Sequence, residues 1–240
     1  MTKRRLTPQE VHFNDVKKNV LKRVSSEYVA DAPFVFNSRA GVSSILTRIE
    51  LFKLVLNIPG AIIECGVYRG NSLMLYMHLS TLLEPYAINR SIYGFDTFEG
   101  FRSINSTKDP QDISENMFSD SNFEILNEMI QCNDIVRPVN LIPRCEIIKG
   151  DILDTVPEFI NAKPELVVAM LILDTDLYES TKVALQSFLP YMPKGGIVVL
   201  DEVAYRNFPG ETIALKELLN INDLEIKRFS HDSALGYFRI

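Results

Sequence analysis

Five short apolar runs, each closed by a carboxylate, constrain the fold of this chain more than any other feature. They are Ala61-Ile62-Ile63-Glu64-Cys65, Ser91 to Asp96, Cys145 to Lys149 with Asp151 after it, Leu166 to Leu173 before Asp174, and Gly196 to Leu200 before Asp201. Runs this short and this apolar suit buried strands. Between them lie stretches of helical periodicity at Asn71 to Leu83, Phe123 to Met129, Leu153 to Ile160 and Tyr178 to Leu189. Strands alternating with helices predict an α/β fold with a mostly parallel sheet covered on both faces. Leu224 to Phe229 and Ala234 to Ile240 predict a terminal hairpin that makes one edge antiparallel. Upstream, Val11, Val16, Val20, Leu21, Val24 and Tyr28 recur at helical spacing until Ala32-Pro33. A second helical run, from Ile45 to Leu56, stops at Pro59-Gly60. The chain therefore divides into a helical extension or lid over residues 1–59 and one globular unit over 60–240.

Composition narrows the class of function. The 240 residues are 46% hydrophobic and 23% charged, enough to build a core without staples. The net charge of -6 and the absence of a basic stripe argue against nucleic acid as a partner. The basic run at Lys3, Arg4 and Arg5, with Lys17, Lys18, Lys22 and Arg23, reads as a solvated helix face. Cys65, Cys132 and Cys145 are widely spaced and form no CxxC pair, so neither a disulfide framework nor a zinc knuckle is expected. Leu6 to Asn14 lacks the apolar core of a signal peptide, and Leu166 to Leu173 falls far short of the ~20 residues of a membrane helix. A cytoplasmic protein without a membrane partner is the expectation.

Ligands of open α/β sheets bind at the carboxyl ends of the strands, where the five carboxylates of this chain gather. Glu64-Cys65-Gly66-Val67-Tyr68-Arg69-Gly70-Asn71-Ser72 forms a strand-to-helix turn whose glycines admit a ligand close to backbone. It lacks the GxGxxG spacing of a pyrophosphate cradle, and an acid at its start suits a cationic ligand. Asp96 stands where an acid bonds the ribose of an adenosine ligand. Asp174, Asp176, Asp201 and Glu202 crowd neighbouring strand ends. Such like charges repel unless a cation lies between them, and oxygen donors select a hard ion such as Mg²⁺.

The segments ECGVYRGNSL, YGFDTFEGF, GDILDTVP, LDTDLYESTKVAL and PKGGIVVLDEVAY resemble the macrocin O-methyltransferase family over about Gly60 to Glu217. The resemblance implies a Rossmann-like class I methyltransferase that uses S-adenosylmethionine and a metal ion, often on sugar hydroxyls of glycosylated natural products. By matched motif positions it implies that Glu64, Gly66 and Ser72 hold the methionine end of the cofactor. Asp96 would hold the ribose and Asp151 the adenine amino group, with Tyr68, Thr97, Phe98 and Asp174 among the other cofactor contacts. Asp174, Asp201 and Glu202 would bind the metal, and Asp176 would be the general base. The family usually carries two aspartates where this chain has Asp201-Glu202, so Glu202 departs from the pattern by one methylene. A homo-oligomer is also implied. The loop from Arg102 to Asn122 and the N-terminal helices match nothing in the motifs.

These residues imply methyl transfer to one hydroxyl of a metal-bound diol, with Asp176 taking the proton. The acceptor would be a small sugar-containing molecule: a glycosylated natural product, a nucleotide sugar or a surface glycan. A catechol acceptor offers the same vicinal diol. An NAD-dependent oxidoreductase would share the sheet and Asp96 but expects a GxG turn, and a non-catalytic binding protein need not keep the carboxylates. His78 and His231 read as surface, packing or turn residues, and His12 lies in an N-terminal helix. Tyr68, Tyr76, Phe98 and Phe101 could wall a pocket or pack in the core.

Overall fold

The computed structural model of the chain describes residues 7–232 and 234–240; the basic run at Lys3 to Arg5 lies outside them. Two compact units divide at Leu46/Thr47. The first holds α1 (Pro8–Leu21), α2 (Ser26–Asp31), α3 (Pro33–Phe36) and the start of α4 (Arg39–Leu54). A capping box, with Thr7 and Glu10 bonding each other's backbone N–H, starts α1, and the Ser25 side chain caps α2. Pro33 opens α3, as a residue lacking a backbone donor does at a first helical turn.

The second unit carries β1 (Ala61–Cys65), α5 (Asn71–Leu83), β2 (Ile92–Asp96), α6 (Phe123–Val136), β3 (Cys145–Lys149) and α7 (Ile152–Ala162). It continues with β4 (Val168–Leu173), α8 (Tyr178–Phe188), β5 (Ile197–Leu200), α9 (Gly210–Leu218) and β6 (Gly236–Arg239). The strands form one sheet in the order β3-β2-β1-β4-β5-β6, parallel except for β6, which runs antiparallel to β5. Among the described residues, the expected hairpin's first arm pairs through Lys227 alone, which bridges to Tyr237.

Because side chains alternate across a strand, the sheet builds a core on each face. Ile62, Ile92, Met170, Ile172, Ile197 and Val199 face Leu51, Phe52, Leu73, Tyr76, Met77 and Ile130. On the opposite face Ile63, Phe95, Leu171, Leu173, Val198 and Leu200 meet Val156, Phe159, Leu185, Phe188 and Leu215. Helices cover both faces, so polar ligands are confined to the strand ends.

The registers Cys65↔Phe95, Cys65↔Leu173 and Leu173↔Leu200 align the carboxyl ends of the central strands. Strand β1 lies between β2 and β4, where the chain reverses its direction of travel across the sheet. That is the crevice in which doubly wound folds bind ligands.

Candidate active site

The turn after β1 is pressed against the residue after β4. A Cβ on Gly66 would stand 1.8 Å from the Asp174 carbonyl oxygen, and the backbone there has φ +90°. Only glycine meets both demands. Asp96, at the end of β2, holds the other side of the turn: Val67 N and Tyr68 N donate to its Oδ2 at 2.8 and 2.7 Å, and Phe98 N donates to Oδ1 at 2.7 Å. Tyr68 and Phe98 adopt left-handed backbone conformations, φ 50° and 55°. Asp96 thus anchors two strained residues, and these bonds engage three of the roughly four acceptor positions of a carboxylate.

Glu64 is fully buried within β1. The Ser72 hydroxyl of α5 donates to its Oε1, while its Oε2 is buried with no hydrogen-bond partner. Burial pushes its carboxyl up to about 7, against the opposing effects of Ser72 and the Arg48 cation. A buried acceptor without a donor is costly unless a ligand supplies one. This oxygen fits a cationic group of the kind S-adenosylmethionine carries.

The remaining residues named from the cofactor motifs fall into two kinds of environment. Thr97 donates its hydroxyl to Gly100 O at 2.6 Å and accepts from Glu99 N, shaping the DTFEG turn. Phe98 is buried and meets Phe123 edge-on, so its ring is core. Tyr68 is half-buried, and its hydroxyl donates to Asp120 at 2.6 Å. Asp151 caps α7 through Leu153 N, and its Oδ2 accepts from the Ser103 hydroxyl at 2.8 Å. Phe101 is buried in a satellite cluster with Leu177 and Phe208, and Tyr76 is core, stacked on Phe52.

Asp174 and Asp201 follow β4 and β5 on adjacent strands. Between them lies a cation that sequence reasoning missed: Arg48 Nη2 is 3.7 Å from Asp174 Oδ2 and 3.8 Å from Asp201 Oδ1. One positive atom touching both acids marks a point where their charges converge. Burial raises the Asp174 carboxyl well above the ordinary range, with Asp201 and Asp176 adding to the effect. Burial also raises Asp201, and Arg48 opposes it. Asp176, with φ +60°, is pushed up to about 7 by burial and the Asp201 charge. Glu202 is buried beside Asp201. All the donors are hard carboxylate oxygens, the kind that suits Mg²⁺. Among the described residues no three such groups already converge as a metal site, so the fit lies in donor chemistry and in the Asp174–Asp201 pair.

Two more residues escaped the sequence reading. Glu211 of α9 is fully buried and accepts backbone hydrogen bonds from both acidic loops. Asp109, in the 97–122 insertion, caps α8 from a distance: Tyr178 N donates to its Oδ1 at 2.8 Å and Asn105 N to its Oδ2 at 2.7 Å. Lys108 adds an ion pair to Glu217 of α9 at 2.7 Å and lies over the Tyr178 ring. The insertion is therefore fastened to two helices of the sheet unit. His12 and His78 are exposed, and His231 stacks on Phe229.

The macrocin-O-methyltransferase (TylF) family profile matches residues 15–239. A crystal structure of the calicheamicin methyltransferase CalS11 superposes with a TM-score of 0.90 at 28% identity, over 98% of this chain and 93% of that one. The O-methyltransferase NovP shares the fold at 21% identity, with a TM-score of 0.66 over 83% of this chain and 80% of its own. The 8-demethyl-8-(2,3-dimethoxy-alpha-L-rhamnosyl)-tetracenomycin-C 4'-O-methyltransferase of Streptomyces olivaceus is 27% identical over 177 residues, 72% of this chain and 65% of that protein. The mycinamicin III 3''-O-methyltransferase of Micromonospora griseorubida is 25% identical over 60% of this chain and 56% of its own. The aligned stretch thus spans less than two thirds of either curated relative. With its profile match running through the sheet, the glycine turn and the acidic strand ends, the chain belongs to the macrocin-O-methyltransferase family.

Proposed function

We propose that this chain is an S-adenosylmethionine-dependent, Mg²⁺-dependent O-methyltransferase whose acceptor is a sugar hydroxyl of a glycosylated natural product, nucleotide sugar or surface glycan. The observation that carries the reading is the buried, partnerless Glu64 Oε2 at the mouth of a glycine turn, one strand from the Asp174–Asp201 pair. Family membership supports methyl transfer. The relatives' names support the acceptor class: CalS11 is described as a TDP-rhamnose 3'-O-methyltransferase, and the Streptomyces olivaceus enzyme acts on a rhamnosyl tetracenomycin.

S-adenosylmethionine, when bound, supplies an activated methyl group; Mg²⁺, when bound, supplies a charge that lowers a hydroxyl pKa. Glu64 and Ser72 hold the cationic end of the cofactor, and the backbone of Gly66 approaches it. Tyr68, Thr97 and Phe98 shape the adenosine side of that turn, and Asp96 offers its remaining Oδ1 acceptor position to the ribose. Asp151, already capping α7, takes the adenine amino group. Asp174, Asp201 and Glu202 would hold the metal, and Asp174, whose carbonyl packs against Gly66, would also stand on the cofactor side. Asp176, on the loop that carries Asp174, receives the acceptor's proton at its carboxylate.

The working form is proposed to be cytoplasmic and to self-associate, which light scattering checks. The described helices include none long and apolar enough to cross a membrane.

Calorimetric titration of S-adenosylhomocysteine, with and without Mg²⁺, tests the cofactor site, and TDP-rhamnose is the first acceptor to assay. Binding by wild type, much weakened in Asp96→Ala, is the expected result, with methyl transfer abolished by EDTA. No binding under either condition would overturn the reading.

A further inference from the structure

Helix α9 opens with a carboxylate turned into the protein. Glu211, Ala214 and Leu215 occupy its buried face, and Glu211 has no exposed surface. Its Oε1 accepts from Thr175 N at 3.1 Å and Asp176 N at 3.2 Å, and its Oε2 accepts from Glu202 N at 3.4 Å. Thr175 and Asp176 belong to the loop after β4, and Glu202 to the turn after β5. One side chain therefore ties together the two loops on which every acid of the centre stands.

Two further observations show that this contact is built rather than incidental. Asp176 has φ +60°, a left-handed conformation that residues with a side chain seldom adopt and that aspartate tolerates better than most. The Asp176 N–H bonded to Glu211 belongs to that residue. The helix also comes unusually close, because a Cβ on Gly210 would stand 2.6 Å from both Tyr178 N and Asp109 Oδ1. Glycine at 210 lets the first turn of α9 approach the β4–α8 loop, and Glu211 follows it inward.

We propose that Glu211 is the positioning residue of the acidic centre: it sets the spacing between the Asp174–Asp176 loop and the Asp201–Glu202 turn, and so the affinity for a divalent cation. The inference rests on the metal reading proposed above. Groups that orient metal ligands without touching the metal typically change metal affinity 10–100-fold when altered. Glu211→Gln keeps the volume, and its carbonyl oxygen still accepts from Thr175 N and Asp176 N, but its NH₂ then meets Glu202 N, which breaks the tie between the two loops.

The test measures two affinities on the full chain. Mn²⁺ binding is followed by electron paramagnetic resonance, and S-adenosylhomocysteine binding by calorimetry without metal. Glu211→Gln is expected to bind Mn²⁺ at least about tenfold more weakly than wild type while its S-adenosylhomocysteine affinity stays within about twofold. A purely structural role would lower both affinities together, and that result overturns the proposal. Equal Mn²⁺ affinity in a folded Glu211→Gln overturns it as well. Wild type that takes up no Mn²⁺ refutes the metal reading itself and this inference with it. If Glu211→Gln does not fold, Gly210→Ala carries the test. Its methyl group forces the first turn of α9 off the loop; the same selective loss is expected, and unchanged Mn²⁺ affinity counts against the proposal.

Discussion

Ser72 satisfies one oxygen of Glu64 and leaves the other buried without a donor. The pair joins β1 to the first turn of α5, so the charge state of Glu64 is felt by both fold and ligand.

The first prediction follows from that charge state. Burial pushes the Glu64 carboxyl up to about 7 in the fold, against an ordinary value of 4.5. Between those values the folded protein binds more protons than the unfolded chain, so this group's contribution to ligand-free stability falls as pH rises through that window. The loss totals about 3 kcal/mol and is complete above pH ~7. Urea denaturation of wild type and Glu64→Gln from pH 4.5 to 8 should show the wild type losing ground steadily against the variant. Parallel curves would rule the shift out. A cation bound beside Oε2 reverses the preference, so S-adenosylhomocysteine binding at pH 6.5 should release protons, read as a dependence of binding heat on buffer ionisation enthalpy.

Asp96→Ala removes the acceptor of three backbone donors and frees Tyr68 and Phe98 from their left-handed conformations. Because Asp96 is partly exposed, water replaces some of what is lost, and a destabilisation on the order of 3 kcal/mol is expected. Denaturant unfolding measures it. A loss below about 0.5 kcal/mol would mean that the turn holds without Asp96.

Arg48→Met leaves Asp174 and Asp201 facing each other without their shared cation. About a third of each carboxylate side chain is exposed, which limits the cost to about 1–2 kcal/mol, a fall in melting temperature of roughly 2–8 °C without metal. Added Mg²⁺ should raise the variant's melting temperature by more than it raises that of wild type. Equal increments in thermal unfolding would show that Arg48 and the metal do not answer the same charges.

Asp109→Ala should loosen the insertion while sparing the sheet. It strips the cap from α8 and the acceptor from Asn105 N, worth about 1–2 kcal/mol. Hydrogen exchange across 102–122 should speed up by about tenfold or more while β1 and β4 keep their protection. Unchanged exchange in the insertion would locate its anchor elsewhere, with Lys108 and Glu217 the next pair to alter.

The sheet was legible because buried parallel strands must be short, apolar and separated by helices, and the intervals from Cys145 to Lys149 and Asn71 to Leu83 match the structure to the residue. The acids were legible because strand ends are where polar groups collect. Arg48 and Glu211 were missed for one shared reason: each stands alone among apolar neighbours. Arg48 shares helical spacing with Leu51, Phe52 and Val55, and Glu211 with Ala214, Leu215 and Leu218, so a stripe search absorbs them as defects in an apolar face. Read the other way, a single charge inside a buried stripe is a signal that something polar lies opposite. Asp109 has no such signal, because its partner at Tyr178 is distant in sequence and only the fold brings them together. The structural duty of Asp96 was hidden similarly, since backbone donors leave no mark on composition.

The absence of a side chain at Gly210 has a bearing on how members of this family can be recombined. The insertion, the start of α8 and the start of α9 share a joint there, with Asp109, Tyr178 and Gly210 in contact. A chimera that transplants the insertion crosses that joint once and cuts it unless Asp109 travels with its own Gly210. Exchanging the insertion and α9 as a matched cassette keeps the joint whole, which makes the pair, rather than the loop alone, the natural unit of exchange.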